Sequence, residues 1–286
     1  MILIADGGST KTHWSFIDRN NSSTDFYSEG YNPYYVNEEY IVPSLRKSIP
    51  EDFEPEKVLE LYFYGAGVHN EEKAAVLKNA FLQIFPNAVI EIEHDLLAAC
   101  RALLGNDSGF AAILGTGTNT CLYDGKNIVH NIDSAAYILG DEGSGCHMGK
   151  QLLKDVIRNT IPVGLKRKFD ETYQLSEHDI LDNVYSKPLA SRFCASFTRF
   201  LSDNIGNEYC HNLIRSSFTQ FFRDLVSLYP GYKEEKFNCI GSVAFYFQDI
   251  LKSVANEFGM ETGLILKSPI IGLKDYHSQK IGATAS

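Results

Sequence analysis

An α/β architecture built twice over is what this sequence predicts, and three observations carry the prediction. The chain opens on a charge-free apolar run, residues 1–5, which Asp6-Gly7-Gly8 ends and a second strand-like run over 13–17 answers. The pattern returns at 111–114, followed by Gly115-Thr116-Gly117-Thr118-Asn119-Thr120 and the short run Cys121-Leu122-Tyr123. Strand, glycine turn and returning strand read as a hairpin, and long-period similarity of this kind decides architecture. Between and after the hairpins, strand-like and helical stretches alternate, as they do in α/β proteins.

In the first hairpin the adjacent glycines bring backbone N–H groups close to a ligand. Ser9, Thr10, Lys11 and Thr12 suit phosphate oxygens. Asp6, at the carboxyl end of a buried strand, suits a Mg²⁺ ion held through water. Alone, the same residues fit an ordinary tight turn with a solvated lysine equally well. A third strand over 25–28 leaves through Gly30-Tyr31-Asn32-Pro33. Asn32 is held extended by the proline, where its amide can meet a ligand, although a plain turn asparagine is the commoner case.

Residues 38–49 have helical spacing, with Ile41, Leu45 and Ile49 four apart. A strand over 59–64 ends in Gly65-Ala66-Gly67, and 71–85 is an amphipathic helix with Ala74, Leu77, Phe81 and Ile84 on one face. The strand 88–92 runs into Glu93-His94-Asp95, and a helix follows over 96–104. Asp95 stands where an N-cap is expected. It also stands where open α/β sheets place ligands, at the carboxyl end of a strand.

In the second half, 127–132 reads as the third strand, followed by Leu139-Gly140-Asp141-Glu142-Gly143-Ser144-Gly145. Glycines and acids at that density do not make a packed element. Gly149-Lys150 fits the end of a phosphate-binding P-loop, but Ser144 and Gln151 break the pattern. Cys146-His147 has no neighbours at metal-ligand spacing. Helical periodicity covers 151–159, 190–203 and 208–228, with 166–168 and 176–182 as connections or helix starts. The aromatic stripe Phe193, Phe197 and Phe200 and the cluster Phe218, Phe221 and Phe222 read as core, and 233–236 as a solvated turn. A strand over 237–240 passes through Gly241-Ser242 into a helix over 243–258, exposing N–H groups at its start. Residues 268–283 form a last helix, returning to the first half.

The 286 residues are enough for two domains or one large one, and 44% hydrophobic with 22% charged residues is the composition of a globular protein. A net charge of −10 argues against nucleic acid or an anionic membrane as the main partner. Six isolated cysteines, with no CxxC, point to reduced thiols in a cytoplasm. No basic leader or long apolar run suggests a signal peptide or membrane span. Hydrolase and dehydrogenase signatures are missing.

The two hairpins resemble the paired phosphate motifs of the sugar kinase, heat-shock-protein and actin ATPase superfamily. Taken with LGDEGSG at 139–145 and Ile240-Gly241-Ser242-Val243-Ala244, they resemble the BadF/BadG/BcrA/BcrD ATPase family and, within it, the N-acetylglucosamine kinases. That resemblance implies two ribonuclease-H-like lobes with an interlobe cleft. Residues 1–113, with a C-terminal helix at about 270–286 packing back, would form one lobe, and 114–269 the other, with a helical insertion. It implies ATP and Mg²⁺, with Gly8, Ser9, Thr10, Lys11 and Thr12 on one side of the phosphates and Gly115, Thr116, Gly117 and Thr118 on the other. By the same resemblance Gly241 and Ser242 pack on adenosine and Asp6 lies near the metal. Asp95 is the base on the sugar hydroxyl, and Asn32, Asn119 and Asp141 lie around the sugar. The implied activity is ATP-dependent phosphorylation of an amino sugar, N-acetylglucosamine or a close relative. Two alternatives within reach are an ATPase activator of a dehydratase and a nucleotide-binding regulator without turnover. The activators hold an iron–sulfur cluster through cysteines, and the scattered cysteines here count against one. A homodimer is expected from the family alone. One departure is plain: the kinases resembled carry a Gly-Gly-Trp-Gly type segment where this chain has Ser134-Ala135-Ala136-Tyr137, which leaves the sugar's identity open.

Overall fold

The computed structural model describes residues 1–8, 11–18, 23–65, 67–68 and 70–284, without the side chains of 279–284. Ser9 and Thr10 therefore lie outside the described residues. The chain divides into two units, Met1–Asp107 with Pro269–Ser286, and Ser108–Ser268.

The first unit begins with the strands β1 (Ile2–Gly7), β2 (Lys11–Ile17) and β3 (Ser23–Glu29). Helix α1 (Glu38–Ser48), strand β4 (Glu60–Gly65), helix α2 (Glu71–Leu82), strand β5 (Val89–His94) and helix α3 (Asp95–Leu104) follow. The sheet order is β3-β2-β1-β4-β5. β1 runs antiparallel to β2, and β1, β4 and β5 are parallel. β1 is apolar over residues 2–5 because both its faces are covered there. Leu3 and Ala5 belong to the core with Trp14, Phe63, Phe81 and Phe85, while Ile2 and Ile4 point to the other face with Tyr62, Tyr64 and Ala98. Trp14 anchors the first core, stacked on Phe26 at 5.7 Å and edge-on to Phe81 at 5.6 Å. Helix α2 stops at Leu82, short of residue 85, because Pro86 disfavours helical backbone at Phe85; Ile84 and Phe85 N–H close a turn on the Phe81 carbonyl instead.

The second unit contains β6 (Ser108–Leu114), β7 (Thr118–Asp124), β8 (Ile128–His130), α4 (Ala136–Leu139) and α5 (Gly145–Ile157). After them come α6 (Val163–Tyr173), α7 (Glu177–Tyr185), α8 (Ala190–Ser196), α9 (Thr198–Asp203) and α10 (Glu208–Asp224). The unit ends with β9 (Phe237–Ile240), α11 (Ser242–Tyr246), α12 (Gln248–Glu257) and β10 (Thr262–Leu266). Its sheet, read from the hairpin edge as β8-β7-β6-β9-β10, repeats the order of the first. The division falls between Asp107 and Ser108 rather than at 113/114, because β6 pairs along its whole length with β7 and also with β9. Residues 166–168 lie inside α6, and Ser176 caps α7 through a capping box with Asp179. The helices expected over 190–203 and 243–258 each break once, at Phe197 and Phe247.

The last helix, α13 (Ile270–Thr284), belongs to the first unit. Ile270 and Leu273 are buried against Ile4, Tyr64 and Ala98. Gly272 permits the approach of α13 to α3, since a Cβ there would lie 2.3 Å from the Ala102 carbonyl oxygen.

Candidate functional site

In the first unit the register sets a row across one face of the sheet, since paired residues of neighbouring strands point the same way. His13 pairs with Asp6, Asp6 with Tyr64, and Tyr64 with Glu93. Asp6 is half-buried at the carboxyl end of β1, and Asp95 follows the carboxyl end of β5. With β4 between them, those strand ends stand about 10 Å apart across the sheet. Asp95 is not the cap of α3: His94 is, its Nδ1 accepting the Leu97 N–H at 3.3 Å, with Asp95 as the first helical residue. A proton-free ring nitrogen there spares the carboxylate from capping.

The Gly turn is tight, with the Gly8 N–H donating to the Lys11 carbonyl at 3.0 Å. Gly7 and Gly65 are adjacent in register, and a Cβ on either would come within 2.5 Å of the Phe63 ring. Gly7 thus answers to packing beneath the loop. Lys11 Nζ lies 3.6 Å from the centroid of the Tyr27 ring. Thr12 is buried and its Oγ1 donates to the Glu29 carbonyl at 3.1 Å, so this hydroxyl braces β2 to β3 rather than facing a phosphate. Asn32 Oδ1 accepts the Tyr34 N–H at 3.0 Å and packs on Gly67, whose φ of +83° carries the loop after β4 past it. Asn32 is therefore brought to the same sheet edge as Asp6, with its carbonyl engaged in a local turn.

In the second unit three motifs that are distant in sequence join around the second hairpin. The Gly115 N–H donates to the Gly117 carbonyl at 3.0 Å, closing the turn. The N–H groups of Gly145 and Cys146 donate to the carbonyls of Gly115 and Thr116 at 2.8 and 3.0 Å. Asp141 Oδ1 accepts the Thr118 N–H at 3.1 Å and the Ser134 hydroxyl at 2.9 Å, and Thr118 Oγ1 donates to the Glu142 carbonyl at 2.8 Å. Burial pushes the Asp141 carboxyl up, opposed by the Thr118 N–H, the Ser134 hydroxyl and the Lys150 charge. Asp141, with φ of +57°, binds the loop to the hairpin. Gly241 completes the junction: its φ is +133° and a Cβ would sit 2.1 Å from the Leu114 carbonyl oxygen.

Beside that turn, Ser242 and Tyr246 of α11 and Thr198, Arg199, Ser202 and Asp203 of α9 line a cavity of about 410 Å³. The α9 residues were not foreseen, because their polar spacing on a short helix resembles any solvated face. Asn119 Oδ1 accepts from the Thr120 N–H at 3.0 Å and from Asn131 Nδ2 at 3.1 Å, which fixes it on β7. Ser134 to Tyr137 form a strained turn, with Ala135 and Ala136 at φ of +58° and +53°. Ile138 and Leu139 beyond it are exposed. His147 is buried and shares a 2.8 Å hydrogen bond with Ser217. Among the described residues no group of three or more His, Cys, Asp or Glu is arranged to hold a metal ion. No helix among them is long and apolar enough to cross a membrane.

No protein-family model matches the chain. Over 200 residues it is 24% identical to the N-acetyl-D-glucosamine kinase of Dictyostelium discoideum, a match that covers 63% of this chain and 63% of that relative's length. A candidate N-acetylglucosamine kinase from Porphyromonas gingivalis is similar across 98% of this chain and 99% of its own, with 37% identity and a TM-score of 0.92. A ROK-family glucokinase from Streptomyces griseus, solved with glucose and AMPPNP, shares the fold at a TM-score of 0.58 and 14% identity over 97% and 98% of the two chains.

Proposed function

The chain belongs to the N-acetylglucosamine kinase-like family of actin-like ATPase-fold sugar kinases, and from that premise we propose that it transfers the γ-phosphoryl group of ATP to a hydroxyl of an amino sugar. N-Acetylglucosamine or a close relative is the acceptor in this reading, and the BadF/BadG/BcrA/BcrD motifs refine the family. The observation that carries it is the joining of the second hairpin to the 139–145 loop by backbone hydrogen bonds, with the Gly241 turn packed closely on the Leu114 carbonyl of the same hairpin, beside a cavity. A cavity of about 410 Å³ is in the range that takes a nucleoside.

Phosphoryl transfer asks a protein for positioning and charge neutralisation more than for covalent chemistry. The two glycine turns, Gly8 with Ser9, Thr10 and Lys11, and Gly115–Thr118, would adjoin the phosphates. Lys11 and the N–H groups of Thr116 and Gly117 would be the donors, since those of Gly8, Gly115 and Thr118 are engaged within the turns or by Asp141. Ser242 would adjoin the nucleoside. One carboxylate, Asp6, suits a Mg²⁺ that keeps most of its water and arrives with the nucleotide; such an ion neutralises phosphate charge. Asp95 takes the proton of the attacking hydroxyl, and Asn32 and Asn119 border the acceptor. Asp141 supports this site from behind, through Thr118. All six cysteines are buried side chains, which counts against the cluster of a dehydratase activator. A cytoplasmic location and a homodimer complete the reading.

A coupled ADP-release assay with Mg²⁺-ATP tests it against N-acetylglucosamine, N-acetylmannosamine, N-acetylmuramic acid, glucosamine and glucose. A rate that rises with an N-acetylated sugar is expected, and none with any sugar would overturn the kinase reading. Asp95→Asn should lower kcat by about 10²–10⁴ and leave nucleotide affinity unchanged; activity within a few-fold of wild type would remove Asp95 from its role.

A further inference from the structure

Cys146 and Cys194 meet where α5 passes α8. Cys146 lies in the first turn of α5 and Cys194 lies in α8, each thiol near enough to perturb the titration of the other. Gly149, one turn beyond Cys146, brings the helices almost to backbone contact: a Cβ there would stand 1.9 Å from the Cys194 carbonyl oxygen. A disulfide needs Cβ atoms about 4 Å apart and Cα atoms within about 7 Å, a spacing that helices in such contact supply.

The two thiols are unequal. The neighbouring Cys146 thiol holds the Cys194 thiol below its ordinary range with help from the Lys150 charge, whereas Cys146 is pushed up. Cys194 also lines a cavity of about 410 Å³ whose wall carries Lys150 and Lys154 of α5, Arg158 just past its end, and apolar Leu153 and Ile180. Cys146 has no exposed surface and Cys194 only about 1%, so the cavity is what distinguishes the two. Elsewhere, burial pushes the Cys210 thiol up to about 11 and the Cys239 thiol up as well, the condition of inert core cysteines.

We propose that Cys194 and Cys146 form a thiol-oxidation site for hydroperoxides, with Cys194 reacting first from the cavity and Cys146 closing a disulfide between α5 and α8. The Cys194 sulfur attacks a peroxide oxygen; an S–O bond forms, the O–O bond breaks, and the leaving oxygen takes up the thiol proton as water. The Cys146 sulfur then attacks the sulfenic sulfur. The S–S bond forms, the S–O bond breaks, and hydroxide leaves with the Cys146 proton as a second water. The two electrons lost by the sulfurs reduce the peroxide. This site does not depend on the kinase reading.

The test treats the native full-length protein with hydrogen peroxide and blocks remaining thiols by alkylation under denaturing conditions. Digestion without reduction and mass spectrometry then map the products. A Cys146–Cys194 linked peptide is expected, reversed by dithiothreitol and formed at least about tenfold faster than any oxidation of Cys210. In Cys146→Ala the sulfenic acid on Cys194 should persist and be trapped by dimedone. The proposal is overturned if the wild type yields no linked peptide, or if Cys194 stays reduced while another cysteine is oxidised. Because the wild-type map is decisive alone, a variant that fails to fold does not blunt the test.

Discussion

His147 is a residue whose charge the fold excludes. Burial, followed by the nearby charges of Lys150 and Lys154, lowers its pKa from 6.5 to about 4, against a weaker pull upward from Asp224. The unfolded chain therefore binds the extra proton between those two values, and stability falls as pH drops from 6.5 towards 4. Above that window His147 contributes nothing to the slope; below it the penalty is complete, at about 3 kcal/mol. His147→Asn keeps a polar contact for Ser217 without the titration. Urea unfolding at pH 7.5 and pH 5 should show a smaller loss for the variant than for the wild type, and equal losses would assign the acid sensitivity elsewhere. Such residues mark the limit of reading at this scale. The sequence supplies Asp141 and Thr12 as polar groups in glycine-rich stretches, but which way each side chain points depends on a partner far along the chain. Asp141 turns to Thr118 and Ser134, and Thr12 to the Glu29 carbonyl. No local pattern encodes those partners.

Elements were more legible, because period and punctuation are local properties. Both hairpins and the helices with clear apolar stripes follow from alternation, four-residue spacing and the glycines that end them. The breaks at Phe197 and Phe247 were invisible, since the aromatic and apolar spacing runs on across them. β10 went unread because five residues with a glycine and no deeply buried side chain carry little signal. The turn between β9 and α11 is the element boundary with least tolerance. Gly241→Ala would set an L-residue at φ of +133° with its Cβ 2.1 Å from a backbone oxygen that belongs to the second hairpin. Backbone there has no soft side chain to move aside, so the turn or the hairpin must shift. AMPPNP affinity, measured by calorimetry, is expected to fall by about tenfold or more, equivalent to at least about 1.4 kcal/mol. Gly164→Ala, in α6 with nothing within 4 Å of the added methyl, is the control and should be neutral or slightly stabilising. Affinity of the Gly241 variant within twofold of wild type would detach this turn from nucleotide binding.

At the scale of the whole molecule, the repeat that the sequence displays as two glycine hairpins is a repeat of complete sheets, three antiparallel strands followed by two parallel ones in each unit. The chain crosses between units twice, and the second crossing returns α13 to the sheet where the protein began. That return is what the first unit's stability turns on. Ile270 and Leu273 are buried, and each is worth about 1.5–3 kcal/mol of transfer free energy. Their removal also uncovers Ile4, Tyr62, Tyr64 and Ala98. The polar part of the same contact is a chain in which Arg101 donates to the Tyr64 hydroxyl at 2.7 Å and that hydroxyl lies 2.8 Å from His277 Nε2, with the His277 ring stacked on Tyr62 at 3.8 Å. A loss of this size is comparable to the whole stability of an ordinary domain, about 5–15 kcal/mol. Deleting the chain from Pro269 onward is therefore expected to unfold the first unit rather than loosen it. Hydrogen exchange read by mass spectrometry should show β1, β4 and α3 losing protection. β6 and β9 serve as internal references, since the core they line contains none of the deleted residues. Protection of β1 and β4 at the wild-type level in the shortened chain would mean that the sheet carries its own stability and that α13 only covers it.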